Sequence, residues 1–203
     1  MEHTTNSITL RGQLLELPQF SHENHSQQFY RFMLEVPRLS GAVDLLPVIA
    51  PKQVIDAIDP SGGQQLTVCG QVRSYNQRSD SGRHLLIFVF ANSVVAEDGE
   101  PMNEVVVEGP LCREPNFRRT PLGREICDVM LAVPRAFRRA DYLPCILWGR
   151  TAQEVSACHT REQLRITGRL QSRIYTKLTE QGAEERTAYE ISAMTADILE
   201  DQL

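Results

Sequence analysis

No window of the 203-residue chain approaches 18 consecutive apolar residues, which argues against a membrane-spanning helix. The opening MEHTTNSITL lacks both the basic and the apolar segment of a secretory signal, so a cytoplasmic, nucleoid-associated location is expected. Cysteine is sparse: Cys69, Cys112, Cys127, Cys145 and Cys158 are widely spaced, with no CxxC pair. An odd, scattered set reads as reduced thiols, not as a disulfide framework or a zinc site. Cys112 and Cys145 lie in apolar runs and read as small buried hydrophobes. His22 and His25 form an HxxH, but within the polar stretch SHENHSQQ, which reads as a solvated hairpin tip. Catalytic signatures are missing as well. There is no P-loop, GxSxG or HExxH, and Cys158-His159 has no evident third group. The chain is expected to be no enzyme and to need no metal or cofactor.

What is present is the composition of an ordinary globular protein, 41% hydrophobic and 23% charged. The net charge of −5 argues at first against a nucleic-acid partner. Its distribution argues otherwise. Residues 1–100 hold 7 Arg/Lys against 11 Asp/Glu, whereas residues 104–176 hold 12 Arg against 8 Asp/Glu. Local patches steer polyanions; total charge does not.

The chain also repeats itself. Ile8–Ile49 lies on Val105–Ile146 without a gap at an offset of 97, with 13 of 42 pairs identical, where unrelated sequence gives about two or three. The identities include Gly12/Gly109, Phe20/Phe117, Val36-Pro37-Arg38/Val133-Pro134-Arg135 and Asp44/Asp141. One module is written twice.

In the second copy, strands are expected at Glu104–Cys112, Ile126–Pro134 and Tyr142–Gly149, with a hairpin tip at Phe117–Arg124. A short helix follows at Thr151–Cys158, capped by Thr151 with Glu154 at the capping-box position. Two last strands, Leu164–Tyr175 and Arg186–Leu199, flank a polar tip at Thr176–Glu185. The first copy repeats this, with a helix near Lys52–Ile58 and a last tip at Asn76–Arg83. The order, with a helix between the third and fourth strands, predicts an all-β chain of two tandem five-stranded OB-fold barrels. The expected division is 1–96, a linker at 97–103, and 104–203.

The second copy resembles the bacterial single-stranded DNA-binding protein (SSB) family across 104–199. The likeness rests on Val105-Val-Val-Glu-Gly109, Thr120-Pro-Leu-Gly123, Tyr142-Leu-Pro-Cys-Ile-Leu-Trp-Gly-Arg150 and Ile166-Thr-Gly-Arg-Leu-Gln-Ser-Arg-Ile-Tyr175. The resemblance implies binding of single-stranded DNA without strong sequence preference, in replication, recombination or repair. It implies four aromatic positions for base stacking: Phe137, Tyr142, Trp148 and Tyr175. Three of the family's usual tryptophans are here Phe or Tyr. Every base has a π-face, so such a platform tolerates any sequence, and a duplex hides those faces. Phosphate contacts are expected from Arg118, Arg119, Arg124, Arg135, Arg138, Arg139, Arg150 and Arg173, with Arg169 among the same group.

In the first copy Ser40 stands for Phe137, Leu45 for Tyr142, and Gly41-Ala42 for Arg138-Arg139, while Ala50-Pro51 lies near Trp148's place. The stacking set is gone. Phe29, Tyr30, Phe32 and Tyr75 are alternative aromatics, the first three inside a strand where core or sheet packing is expected. The copies together predict one DNA surface per chain. The family resemblance further implies four barrels acting together, hence a homodimer. It also implies an acidic recruiting tail, which is not expected here because the chain stops at Leu203. Single-stranded RNA is a further possible ligand, since a stacking groove without a 2′-OH contact discriminates poorly. A second reading keeps the fold and changes the partner: a protein-interaction module of a replication or conjugation complex.

Overall fold

A computed structural model of the chain describes residues 5–79, 82–179 and 182–200. Apolar–polar alternation builds the strands. In β1 (Asn6–Leu14), Ile8, Leu10 and Leu14 are buried while Ser7, Thr9 and Arg11 keep partial exposure. The N-terminal half continues through β2 (Gln19–Asn24), β3 (Gln27–Pro37), β4 (Val43–Pro51), α1 (Lys52–Asp56), β5 (Gln65–Ser79) and β6 (Gly82–Ala96). The C-terminal half repeats the order with β7 (Met102–Pro110), β8 (Asn116–Arg119), β9 (Glu125–Arg135), β10 (Arg139–Trp148), α2 (Gly149–Val155), β11 (Gln163–Thr179) and β12 (Gly182–Leu199). Each half is an OB-type barrel with its helix between the third and fourth barrel strands, as expected. Each also has a short strand, β2 or β8, folded back on β3 or β9.

The sheet order, β2-β3-β4-β6-β5-β1-β7-β11-β12-β10-β9-β8, reads the same from both ends once equivalent strands are matched. At its centre β1 and β7 pair antiparallel, with Ile8 opposite Val105. These two residues are equivalent in the repeat, so a local twofold passes through that pair.

Four details differ from the sequence reading. The tip expected at Phe117–Arg124 begins as strand β8, paired through Arg119 with Glu125 of β9. The long hairpins stay paired as far as Ser79/Gly82 and Thr179/Gly182, well into the segments that read as polar tips; residues 80–81 and 180–181 lie outside the described residues. Ladder hydrogen bonds are made by backbone, so polar residues extend a pairing that apolar neighbours begin. Helix α2 starts at Gly149 with Trp148 at the N-cap and no side-chain cap. Strand β10 runs directly into it through Gly149, whose φ of 56° suits glycine, leaving no loop for Thr151 to cap; Glu154 pairs with Arg150 at 2.8 Å. Cys112 is exposed, unlike buried Cys127, Cys145 and Cys158, because it lies just past the end of β7.

The barrels close tightly at two equivalent bulges. A Cβ on Gly70 would overlap the carbonyl oxygen of Phe90, and one on Gly168 that of Ser192. The obstructing atom is backbone and cannot swing aside. Gly168→Ala is expected to destabilise the chain by about 2–3 kcal/mol, read as a lower urea midpoint with an unchanged slope.

The halves are joined by a reciprocal clasp as well as by the β1–β7 ladder. The Asp44 carboxylate is fully buried and accepts from Arg38 Nε at 2.7 Å and from the Ser172 backbone N–H of the other half at 2.7 Å. Asp141, also fully buried, accepts from the Ser74 backbone N–H at 2.8 Å and from Arg73 Nη1 at 3.0 Å, both in the other half. Arg135 Nη1 lies 3.4 Å from the same carboxylate. The hydroxyls of the same serines accept from Leu45 N–H at 3.2 Å and Tyr142 N–H at 2.7 Å. These contacts explain why Asp44 and Asp141 are identical in the two copies.

Candidate nucleic-acid interface

On β10, Tyr142, Pro144, Ile146 and Trp148 share one face by strand alternation. Trp148 ends the strand with 39% of its surface exposed, and its indole N–H donates to Ser192 Oγ at 3.2 Å. One edge is thus pinned to β12 while the ring keeps access to solvent. The ring opens on a groove of about 720 Å³. Its walls carry five arginines, Arg38, Arg118, Arg124, Arg169 and Arg173, with Glu190 as the one carboxylate among its described residues. Ile126, Ile146 and Met194 supply apolar surface.

Several of these cations are anchored. Arg118 makes a forked pair with Asp128 at 2.6 and 3.3 Å, a hydrogen bond that raises its pKa above the ordinary guanidinium value. Arg38 is raised in the same way by Asp44. Arg173 stands 3.7 Å from Glu190 and 5.7 Å over the Tyr175 ring, which carries the same face outward along the β11–β12 arm. Arg169 Nε is buried with no partner among the described residues. The net positive wall suits an anion, and the exposed indole suits a flat apolar group.

The structure therefore brings Trp148, Arg118, Arg124 and Arg173 of the expected set into one groove, with Tyr175 beside it. It distributes the others. Arg119 pairs with Glu125 at 2.7 Å and Arg150 with Glu154 at 2.8 Å, neither lining the groove. Tyr142 lies six residues up β10 from Trp148, about 20 Å along the strand, beside Ser74 of the N-terminal half. Phe137 and Arg138 form a tight turn between β9 and β10, with φ of 59° and 56°, and Phe137 is 93% exposed. Arg135 and Arg139, cross-strand partners at the base of that turn, line a cavity in the other half. Sequence reasoning missed Arg38, which lies in the acidic half and reaches the C-terminal groove. The signal was present: Arg38 and Asp44 are kept in register with Arg135 and Asp141.

Among the described residues no group of three or more His, Cys, Asp or Glu is placed to hold a metal, and no helix is long and apolar enough to cross a membrane. Burial pushes the Cys158 thiol up to about 11 and raises Cys127 and Cys145 as well.

The family described as "Single-strand binding protein family" matches residues 102–199. Single-stranded DNA-binding protein B of Bacillus subtilis is 35% identical over 80 residues, covering 36% of this chain and 71% of that protein. The chain belongs to the single-strand binding protein family. A single-stranded DNA-binding protein of Bacillus cereus is 37% identical over 81 residues, and there the match spans only 48% of the relative. The single-stranded DNA binding protein of Thermus aquaticus superposes with a TM-score of 0.80, covering 98% of this chain and 94% of that one at 20% identity. That likeness extends the family fold over both halves, including the N-terminal one outside the family match.

Proposed function

We propose that the chain binds single-stranded DNA with little sequence preference, mainly through the C-terminal groove, and serves replication, recombination or repair. The observation that carries this reading is the half-exposed Trp148 indole in a wall of arginines, within the half that matches the family. Bases stack on Trp148, with Tyr175 continuing the platform. Arg118, Arg124, Arg169 and Arg173 hold the phosphates, Arg through paired N–H groups that fit phosphate oxygens. Tyr142, Phe137, Arg119, Arg135, Arg138, Arg139 and Arg150 extend the path beyond the groove. The N-terminal half is taken to end near residue 96 and the C-terminal half to begin near 104. Two chains are proposed to associate, giving four barrels; light scattering at twice the chain mass checks this.

Among the described residues, the charged side chains lining the groove are five arginines against one glutamate, so affinity is expected to be electrostatic in large part. Labelled oligo-dT anisotropy should weaken linearly on a log–log salt plot, with a slope near −0.7 per phosphate neutralised. Four engaged arginines give about −3. Duplex competitor should displace the probe poorly, and oligo-U should compete with no more than a modest deficit, since stacking on Trp148 uses the base faces that DNA and RNA share. Equal competition by duplex overturns the stacking mode.

A further inference from the structure

Glu190 is a carboxylate on an otherwise cationic wall. It stands on β12 opposite Gln171 of β11, and its side chain is only 14% exposed. Among the described residues it has two polar partners. Gln171 Nε2 donates to Glu190 Oε1 at 3.0 Å, and Arg173 Nε lies 3.7 Å from the same oxygen. An ionised carboxylate can accept about four hydrogen bonds. This one gives up most of its water for one close partner and one distant one, an exchange that costs stability.

The fold does not require a charge at this position. In the N-terminal half Phe88 stands opposite Arg73 where Glu190 stands opposite Gln171, so the equivalent barrel position accepts an apolar ring. Nor is Glu190 needed to anchor its neighbours. Arg38 is held by Asp44 at 2.7 Å and Arg118 by Asp128 at 2.6 Å, and neither aspartate lines the groove. Those hydrogen bonds are the main reason both guanidinium pKa values are raised, and the charge of Glu190 raises both further. Its field therefore reaches Arg38 and Arg118 as well as Arg173. Arg173 differs from the other two: its counter-charge is inside the groove, and its side chain is 57% exposed and able to move.

We propose that Glu190 is a resident anion of the C-terminal groove, which holds Arg173 in the free protein, yields it to a backbone phosphate when a strand enters, and by its remaining charge keeps the strand releasable. This rests on the reading that the groove binds single strands. The exchange is one anion for another at the same guanidinium. A phosphate offers Arg173 two oxygens in the forked geometry that the 3.7 Å contact with Glu190 lacks. Gln171 keeps its hold on Glu190 after Arg173 has left, so a negative charge stays beside the bound phosphate and weakens the complex. A wall of unopposed arginines would let go more slowly, since affinity differences at one interface lie mostly in dissociation. Glu190 thus acts as a brake on affinity.

The test titrates labelled oligo-dT against the full chain by anisotropy and follows its release by stopped flow on adding excess unlabelled oligo-dT. Glu190→Gln removes the charge but keeps an acceptor for Gln171. It is expected to bind about three- to tenfold tighter at low salt and to release the strand more slowly by a similar factor. Its salt slope should be at least as steep as that of the unaltered chain. Glu190→Ala, which leaves no buried amide to satisfy, should shift affinity in the same direction, and circular dichroism checks that both fold. Glu190→Asp restores the charge and should stay within about twofold of the unaltered chain. In an Arg173→Ala background the gain from Glu190→Gln should shrink to about twofold or less, because the arginine it frees is gone. Weaker binding with a shallower salt slope in both Glu190→Gln and Glu190→Ala makes Glu190 a positioning group for Arg173 and overturns the proposal. Unchanged affinity overturns it too. A full gain in the Arg173→Ala background overturns the hand-over. In each of these cases the unaltered chain still binds oligo-dT and the proposed function stands, whereas no saturable binding by the unaltered chain sinks both.

Discussion

Trp148→Ala is expected to lower affinity for oligo-dT by about 5–150-fold at moderate salt, the loss of one stacked base at roughly 1–3 kcal/mol. Three features place the effect in this range. The indole keeps 39% of its surface open, so it has a face to offer. Its N–H is tied to Ser192 Oγ at 3.2 Å, so ordering the ring on binding costs little rotamer entropy. Arg173, Arg124 and Arg118 share its groove, so a stacked base has its phosphate within reach of a cation. Trp148→Phe should recover much of the loss, because a smaller π-face remains. Arg173→Ala should weaken binding by a smaller factor and reduce the salt slope by about 0.7. Arg150→Ala is expected to cost less than Arg173→Ala, because its guanidinium sits on α2 against Glu154. Anisotropy titrations at two salt concentrations separate these outcomes.

Asp141→Ala is expected to cost about 2–3 kcal/mol of stability, and Asp44→Ala a similar amount. Each carboxylate is fully buried and accepts hydrogen bonds from both halves. Removing Asp141 strands the Ser74 N–H and leaves Arg73 and Arg135 without their shared counter-charge. Breaking a buried ion pair from one side costs about 3–5 kcal/mol; the figure is set lower because both arginines are partly exposed and regain water. For a chain of this length that corresponds to a fall in Tm of about 5–10 °C. A loss within 0.5 kcal/mol for both variants contradicts the clasp.

Much of the architecture was legible because the repeat constrains it. Gly12, Gly109, the Val-Pro-Arg runs and the paired aspartates fall at matching places in two barrels. The C-terminal site was partly legible, since Trp148 and Tyr175 stand at ends of recognisable strands and Arg118, Arg124 and Arg173 lie at loops and strand ends around them. The pairing of the halves was not. Register comparison pairs Arg135 with Arg38 as two copies of one residue, whereas each side chain works at the other half's groove. The aromatic lining of the cavity in the N-terminal half, with Phe29, Phe88 and Phe90, escaped for a related reason. Comparing copies position by position shows Trp148 and Phe137 replaced, but Phe88 and Phe90 arise on a different strand, β6, where the C-terminal copy has Glu190 and Ser192. Capping was misjudged because the β10-to-α2 passage turns on the left-handed Gly149, and nothing local distinguishes it from a helix starting two residues later at Thr151.

The C-terminal groove is expected to stack the bases of a single strand on Trp148. The chain contains one tryptophan, so its intrinsic fluorescence reports that groove without a label. Titration with oligo-dT at low salt is predicted to quench the emission in a saturable way that weakens as salt rises, while an equal concentration of duplex leaves it largely unchanged. Saturable binding seen by anisotropy with no change in Trp148 emission would exclude stacking on Trp148.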